Sequence, residues 1–265
     1  ILNLALRFNG KAADGSKLDW AALSLLPGDP LGIGTSTLAQ ITRTTNISIT
    51  GRLYLDVGGF VIALADFSID QKSGVELSDR DHVTVPLANV LLVRISGAYL
   101  FVGVGGVIDK AGYANATAFE DALEAAGAVG FFVNNASLDL AMVSENPLAG
   151  GRKWTGIAAR IDSLGITGLP EGFTLKVKEL EIFYNLAASD GFRMDWAGLS
   201  GNTLDAFDLN LGKLALFDNS VEFLVSGKVM VAIENFVYVS GAMALQRKDL
   251  FVKTVGATTT TRMSV

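Results

Sequence analysis

The chain reads as an all-β protein: an elongated antiparallel β-sandwich or solenoid-like repeat array with one short helix per repeat. Three observations lead there. The sequence repeats itself at a fixed offset of 176 residues, so that Asn9 to Val61 aligns without gaps on Asn185 to Val237. Its clearest segments alternate apolar residues with a period of two, the spacing that puts one side-chain set on one face of a strand. Its composition is β-rich, with 29 glycines, 5 prolines, half of all residues hydrophobic and 18% charged.

In the repeat, Asp14-Gly15 falls on Asp190-Gly191, Asp19-Trp20-Ala21 on Asp195-Trp196-Ala197, and Leu23-Ser24 on Leu199-Ser200. Gly51 falls on Gly227 and Phe60-Val61 on Phe236-Val237. A period of this kind marks stacked structural units. Residues 1–176 form the first full unit and residues 177–265 the first half of a second, continuous with it. The text starts at Ile1-Leu2-Asn3-Leu4 and stops at Met263-Ser264-Val265, both strand-like, which reads as an excerpt from a longer polymer of such units.

Taken in order, Leu2 to Phe8 is a strand. Thr45 to Val57 and its mate Val221 to Ile233 are the most regular ones, each with a glycine at its middle (Gly51, Gly227) that signals a bulge, a bend or a close backbone approach. Gly59 to Ile69 and Asn235 to Leu245 follow after only a couple of residues, as tight hairpins require. Further strands are expected at Val90 to Ile95, Ala98 to Ile108, Val129 to Val133, Ser137 to Val143, Thr155 to Ile161 and Phe173 to Leu186. The last changes parity between Val177 and Leu180, which predicts a bulge near Lys178-Glu179. Ala116 to Ala126 alone has helical spacing, with Thr117 as N-cap, Glu120-Asp121 in the first turn and Gly127 as terminator. Asn146 to Lys153 is a loop and Gly168 to Gly172 a tight turn. Apolar residues on both strand faces, as at Leu224 and Met230, point to two layers.

The chemistry available is sparse. There is no cysteine and one histidine, His82, in the polar stretch Asp79-Arg80-Asp81, so thiolate and zinc sites and cysteine nucleophiles lack material. No G-x-S-x-G elbow surrounds a serine. Glu120 and Asp121 are explained by their place at a helix start. Gly103-Val104-Gly105-Gly106 lacks the Lys-Ser/Thr of a phosphate loop and reads as close strand packing. No catalytic constellation emerges, and the chain is read as non-enzymatic. A net charge of −6 argues against nucleic acid. Mean hydropathy is +0.40, yet no uncharged apolar run reaches membrane-helix length.

Calcium is the one candidate cofactor, through the recurring Asp14, Asp19, Asp190 and Asp195, with Asp29 and Asp205 beside them. The simpler reading is that Asp-Gly pairs make turns. Trp20 and Trp196 sit in the motif [Lys/Arg]-[Leu/Met]-Asp-Trp-Ala-x-Leu-Ser. They are read with Gly51, Gly227, Phe60 and Phe236 as structural anchors of the repeat, glycan stacking being the alternative. Asn46, Asn115 and Asn135 begin Asn-x-Ser/Thr sequons.

Four phrases carry a family resemblance: Val129-Gly-Phe-Phe-Val-Asn-Asn-Ala-Ser-Leu-Asp-Leu-Ala-Met-Val, Gly165-Ile-Thr-Gly-Leu-Pro-Glu-Gly-Phe-Thr-Leu, Leu216-Phe-Asp-Asn-Ser-Val-Glu-Phe-Leu-Val-Ser-Gly-Lys-Val and Asn235-Phe-Val-Tyr-Val-Ser-Gly. They resemble the tandem repeats of giant bacterial secreted or surface proteins of the LEPR-XLL, calcium-binding adhesin-like type. The resemblance implies an extracellular, all-β, non-enzymatic scaffold or adhesin, and the acidic, cysteine-free composition points to the outside or cell surface of a Gram-negative bacterium, though the calcium nonapeptides of such proteins do not occur here. The function expected is therefore structural, a stalk, fibre or filament built by stacking further copies of the repeat. A binding module, an adhesin for glycans or a lipid-binding groove, is the alternative.

Overall fold

The computed structural model describes residues 1–78, 84–146, 151–170, 172–200, 209–234, 236–253 and 260–264. Ten strands lie among them: β1 (Leu2–Phe8), β2 (Thr45–Val57), β3 (Val61–Ser78), β4 (Thr84–Val104), β5 (Val129–Ser144), β6 (Lys153–Thr167), β7 (Phe173–Leu186), β8 (Val221–Ile233), β9 (Val237–Lys253) and β10 (Thr260–Ser264). Every strand pairs antiparallel with its neighbour in sequence. β1 to β9 make one continuous, unclosed sheet, and β10 adds to β9. Three helices, α1 (Trp20–Ser24), α2 (Ala116–Ala125) and α3 (Trp196–Ser200), lie in the connections, with 3-10 turns at Thr37–Gln40 and Gly212–Leu216.

The 176-residue offset is also a repeat of structure. β2 and β8 coincide in their bounds under it, and so do α1 and α3. The connections 9–44 and 187–220 are built on the same bonds. The Asn9 amide donates to Leu18 O and Thr42 O, both at 2.9 Å, and the Asn185 amide donates to Met194 O at 3.0 Å and Asp218 O at 3.2 Å. Ala21 N donates to Ile41 O, and Ala197 N to Phe217 O. One polar cluster has changed all its members together. Lys17 with Asn46 and Ser73 in the first copy becomes Arg193 with Glu222 and Asp249 in the second. Lys17 and Ser73 both donate to Asn46, whereas Arg193 donates to both carboxylates, so the cluster is rebuilt around a guanidinium that can serve two anions at once.

A line of bulges creases the sheet. The β1–β2 register slips between Leu2 and Ala5, with Asn3 at φ 53°, and the β7–β8 register slips at the equivalent place between Lys178 and Glu181, with Glu179 at φ 52°. Gly97 (φ 54°) and Asn135 (φ 49°) carry the crease through β4 and β5. Gly51 and Gly227 lie opposite the bulges of β1 and β7, where a Cβ would stand 3.1 Å from the Phe67 ring and 3.4 Å from Leu180 Cδ1. Each bulge adds one residue and flips the parity, so residues of opposite parity on either side of it share a face. β4 accordingly buries Val90 before Gly97 and Tyr99 and Phe101 after it.

That shared face carries all of the core. At one end of the strands α2 packs Phe119 and Leu123 on Ile62, Leu64, Tyr99, Phe101 and Phe132. At the other, the 187–220 connection packs Met194, Trp196, Leu199, Leu214 and Phe217 on Val75, Val90, Ala141, Trp154 and Ala158. Between the two clusters runs a polar band of ion pairs, Arg52–Asp66 at 2.7 Å, Arg94–Asp139 at 2.5 Å and Arg160–Asp162 at 3.3 Å.

Several expectations are revised. The text pairs Val90–Ile95 with Ala98–Ile108 and Val129–Val133 with Ser137–Val143 are each one strand, because the bulges interrupt the periodicity and not the hydrogen bonding. Among the described residues there is one sheet faced by helical connections, and the second apolar set at Leu224 and Met230 belongs to the helix-covered side. Residues 1–176 hold two helices, not one, because Asp19-Trp20-Ala forms an N-capped turn of helix: Asp19 Oδ1 accepts from Ala22 N at 2.9 Å. The N-cap of α2 is Asn115, accepting from Ala118 N, not Thr117. Gly127, at φ 64°, closes that helix as expected.

Glu120 is not a helix-start residue in practice. It lies one turn in and faces the sheet, accepting from Lys176, from Ser163 at 2.6 Å and from Asn134 at 3.3 Å. Burial raises its pKa, but the Lys176 and Ser163 hydrogen bonds outweigh that, leaving it below the ordinary glutamate value. Glu145 is lowered in the same direction by its Arg152 hydrogen bonds, and Asp66 by Arg52. A depressed carboxylate stabilises the fold above its unfolded pKa and loses that contribution as pH falls through the folded value. Stability should therefore decline on acidification below about pH 4.5, the unperturbed glutamate value. Glu120→Gln should flatten that decline in urea titrations taken at a series of pH values.

Candidate apolar binding face

The opposite face of the sheet is apolar, and among the described residues nothing covers it. Its side chains fall into rows that cross the strands. One row runs Leu6, Ile49, Ile69, Val93, Leu140, Ile157, Tyr184, Phe223. The next runs Gly51, Phe67, Ile95, Leu138, Ala159, Ile182, Val225, Leu245. Beyond the crease follow Leu55, Ala63, Leu100, Val133, Leu164, Val177, Val229, and then Val57, Val61, Val102, Phe131, Ile166. No charged residue interrupts these rows from β1 to β8; Arg247 of β9 stands opposite Phe223 at the end of the first. Every large side chain in them is half-buried or exposed, shielded only by its neighbours along and across the sheet.

Strands about 4.8 Å apart and side chains repeating about every 6.7 Å along a strand give these rows an area on the order of 1,000 Å². Exposed apolar patches on soluble monomers rarely exceed a few hundred Å². At about 25 cal/mol per Å², covering this face is worth on the order of 25 kcal/mol before the costs of ordering whatever covers it. The rows run unbroken over the β6–β7 pair, where the first copy of the repeat gives way to the second. The face is a property of the continuous sheet.

Local chemistry explains why one face is bare and the other covered. The residues between the rows, Ser68, Asp70, Arg94, Ser137 and Asp139, point to the helical side, where the connections supply partners. Asp139 Oδ2 accepts from Lys213 N at 2.9 Å, and Lys213 Nζ donates to Ser137 at 2.7 Å. Alternation thus sends the carboxylates and cations of the sheet's interior to one side and leaves hydrocarbon, with the Tyr184 ring, on the other.

Of the residues singled out from sequence, Gly51 lies in the second row, and the aspartates and tryptophans lie elsewhere. Asp14 Oδ1 accepts from Ser16 N at 2.9 Å, and Asp190 Oδ1 from Phe192 N at 3.1 Å, both closing turns. Asp19 and Asp195 cap α1 and α3, the latter accepting from Gly198 N at 2.8 Å. Asp29 accepts from Ile33 N and Gly34 N. Among the described residues no group of three or more His, Cys, Asp and Glu side chains could hold a metal. His82 and Asp205 lie outside the described residues, as do Asp79, Arg80 and Asp81.

Trp196 is fully buried, its indole N–H donating to Asn185 Oδ1 at 2.9 Å, whereas its mate Trp20 is half-buried. Phe60 and Phe236 sit at hairpin tips, 62% and 83% exposed, and anchor little within the chain. Of the sequon asparagines, Asn46 accepts from Ser73, Asn115 caps α2, and Asn135 donates to Asp162 at 2.6 Å. Gly103 and Gly106 are packing glycines: a Cβ would come within 2.2 Å of Val129 O and 2.1 Å of the Phe101 ring.

The bare face is not visible in any strand taken singly. Its signal lies in sequence as one mainly apolar parity in eight successive strands, once the parity is switched at each bulge, with charge only near strand ends, as at Lys153. No helix among the described residues is long and apolar enough to cross a membrane. No family model, no curated protein sequence and no solved structure matches the chain.

Proposed function

We propose that the chain is a segment of a β-repeat array whose continuous apolar sheet face holds the acyl chains of lipids. The observation that carries this reading is the set of charge-free rows, of on the order of 1,000 Å², passing without interruption from one copy of the repeat into the next. Hydrocarbon recognition needs area and the exclusion of charge more than it needs individual polar contacts. An aliphatic surface of Val, Ile and Leu supplies that without a catalytic group, which fits a carrier or conduit and not an enzyme. The six-strand period, β1 to β6, would lengthen the surface by a fixed step with each added unit.

A second reading is the purely structural one: a stalk or filament at a Gram-negative cell surface, in which another sheet of the same repeat seals the face. The matching hydrogen-bond sets of the 9–44 and 187–220 connections favour it, since a stacked array must reproduce its connections. The two readings differ in what covers the hydrocarbon. Purified chain should release phospholipid or fatty acid on organic extraction, in amounts that rise with the number of repeat units. A lipid-free chain that forms sandwich-type dimers at micromolar concentration would instead support the stalk.

A further inference from the structure

The two copies of the long connection sit in different surroundings, and the difference points to a docking site. Met194 and Leu214 are 0% and 1% exposed, while Leu18 and Leu38 at the matching positions are 56% and 38% exposed. Trp196 is enclosed and Trp20 is not. Where both connections are described they keep the same framework bonds, so the exposure does not come from a loosened loop. What differs is the floor: the second connection rests on β3 to β6, and among the described residues the first has no such sheet beneath it.

We propose that the open edge of β1 and the underside of the 9–44 connection form a docking site for one specific partner: a sheet of this same repeat presenting strands equivalent to β3–β6. The chain itself displays the docked state once. β6 pairs with β7 through Ile157 opposite Tyr184, Ala159 opposite Ile182 and Ile161 opposite Leu180. The positions of β7 correspond to Phe8, Leu6 and Leu4 in β1, all of them large, apolar and exposed. Trp196 lies against the backbone at Gly156, where a Cβ would fall 2.5 Å from the indole Cε2. A glycine equivalent to Gly156 therefore belongs under Trp20. The β6 of a second identical chain already has both its edges paired, so the partner is a unit whose β6-like edge is free. The inference rests on the array half of the proposed function and not on lipid.

The test uses the absence of cysteine from the sequence. Leu18→Cys is placed in the chain alone, and in the same chain preceded in frame by its own residues 1–176, which supplies a β3–β6 floor and a free β6 edge. In the single chain the thiol should react with a maleimide as fast as Asp121→Cys, an exposed control on α2. In the tandem chain the reaction should slow by about tenfold or more, to a rate set by local opening. Gly156→Leu in the leading copy should restore fast labelling, because its side chain would occupy the place of the Trp20 ring.

A tandem chain that labels as fast as the single chain, or that fails to fold cooperatively, overturns the proposal. Slow labelling that Gly156→Leu leaves unchanged overturns it too, since Trp20 would then be covered by something else. Lipid content is measured separately on both chains, so loss of the lipid reading leaves this result standing, and the reverse.

Discussion

Trp196→Ala is expected to destabilise the chain by about 3–5 kcal/mol, the range for deleting a fully buried large aromatic. The ring is enclosed, lies against Gly156 and donates to Asn185, whose own amide ties together both ends of the connection. Removing it leaves a cavity over β6 and frees a buried acceptor, so the transfer and desolvation penalties add. The same change at the repeat-equivalent site, Trp20→Ala, should cost less than about 1 kcal/mol, the range of partly exposed positions. Urea denaturation of the two variants measures both. Equal losses would mean that the two copies have the same surroundings, contrary to the burial difference.

Placing charges in the middle of the bare face should leave folding nearly intact and remove apolar binding. Leu140 and Ile157 face each other across β5 and β6 in the longest row. With nothing above them, lysines at both positions can reach water, and the cost to stability should stay within about 1 kcal/mol. Under an acyl chain the same ammonium groups would be buried without partners, which is costly. Leu140→Lys with Ile157→Lys should therefore lower lipid affinity by about tenfold or more while the urea midpoint barely moves. Lysines at Ala141 and Ala158, one residue along and on the helix-covered face, should do the opposite: unfold the chain through overpacking and charge burial. A face that is part of a closed core would make both pairs equally destructive.

The parts of the fold legible in sequence are those where periodicity is unbroken. β2, β7 and β8 have the bounds expected of them, and the bulge at Lys178-Glu179 follows from the parity change between Val177 and Leu180. The repeat offset locates matching elements with no slip. What escaped was produced by tertiary context. Gly97 and Asn135 each look like strand ends because they reverse the alternation, yet the ladder passes over them. Asp19-Trp20-Ala looks like a turn because five residues are too few to display helical spacing.

The bare face is the least legible of all. In an isolated strand such as β4, both parities carry apolar residues, Val90 and Leu92 on one side and Leu91 and Val93 on the other. Only the pairing partners tell which set is roofed by α2 and the 187–220 connection and which is bare. Aspartates and tryptophans stand out in the sequence as candidate ligand residues because their side chains have recognisable chemistry. The aspartates close turns and cap helices, and the surface that stands out has no polar chemistry at all.

The most direct measurement of the central claim is photocrosslinking with a fatty acid carrying a diazirine at mid-chain, mapped by peptide mass spectrometry. The bare-face reading predicts adducts along the rows through Val93, Ile95, Leu138, Leu140 and Ile157, competed away by unlabelled fatty acid. Adducts confined to the helical connections, or labelling that excess fatty acid does not compete, would contradict it.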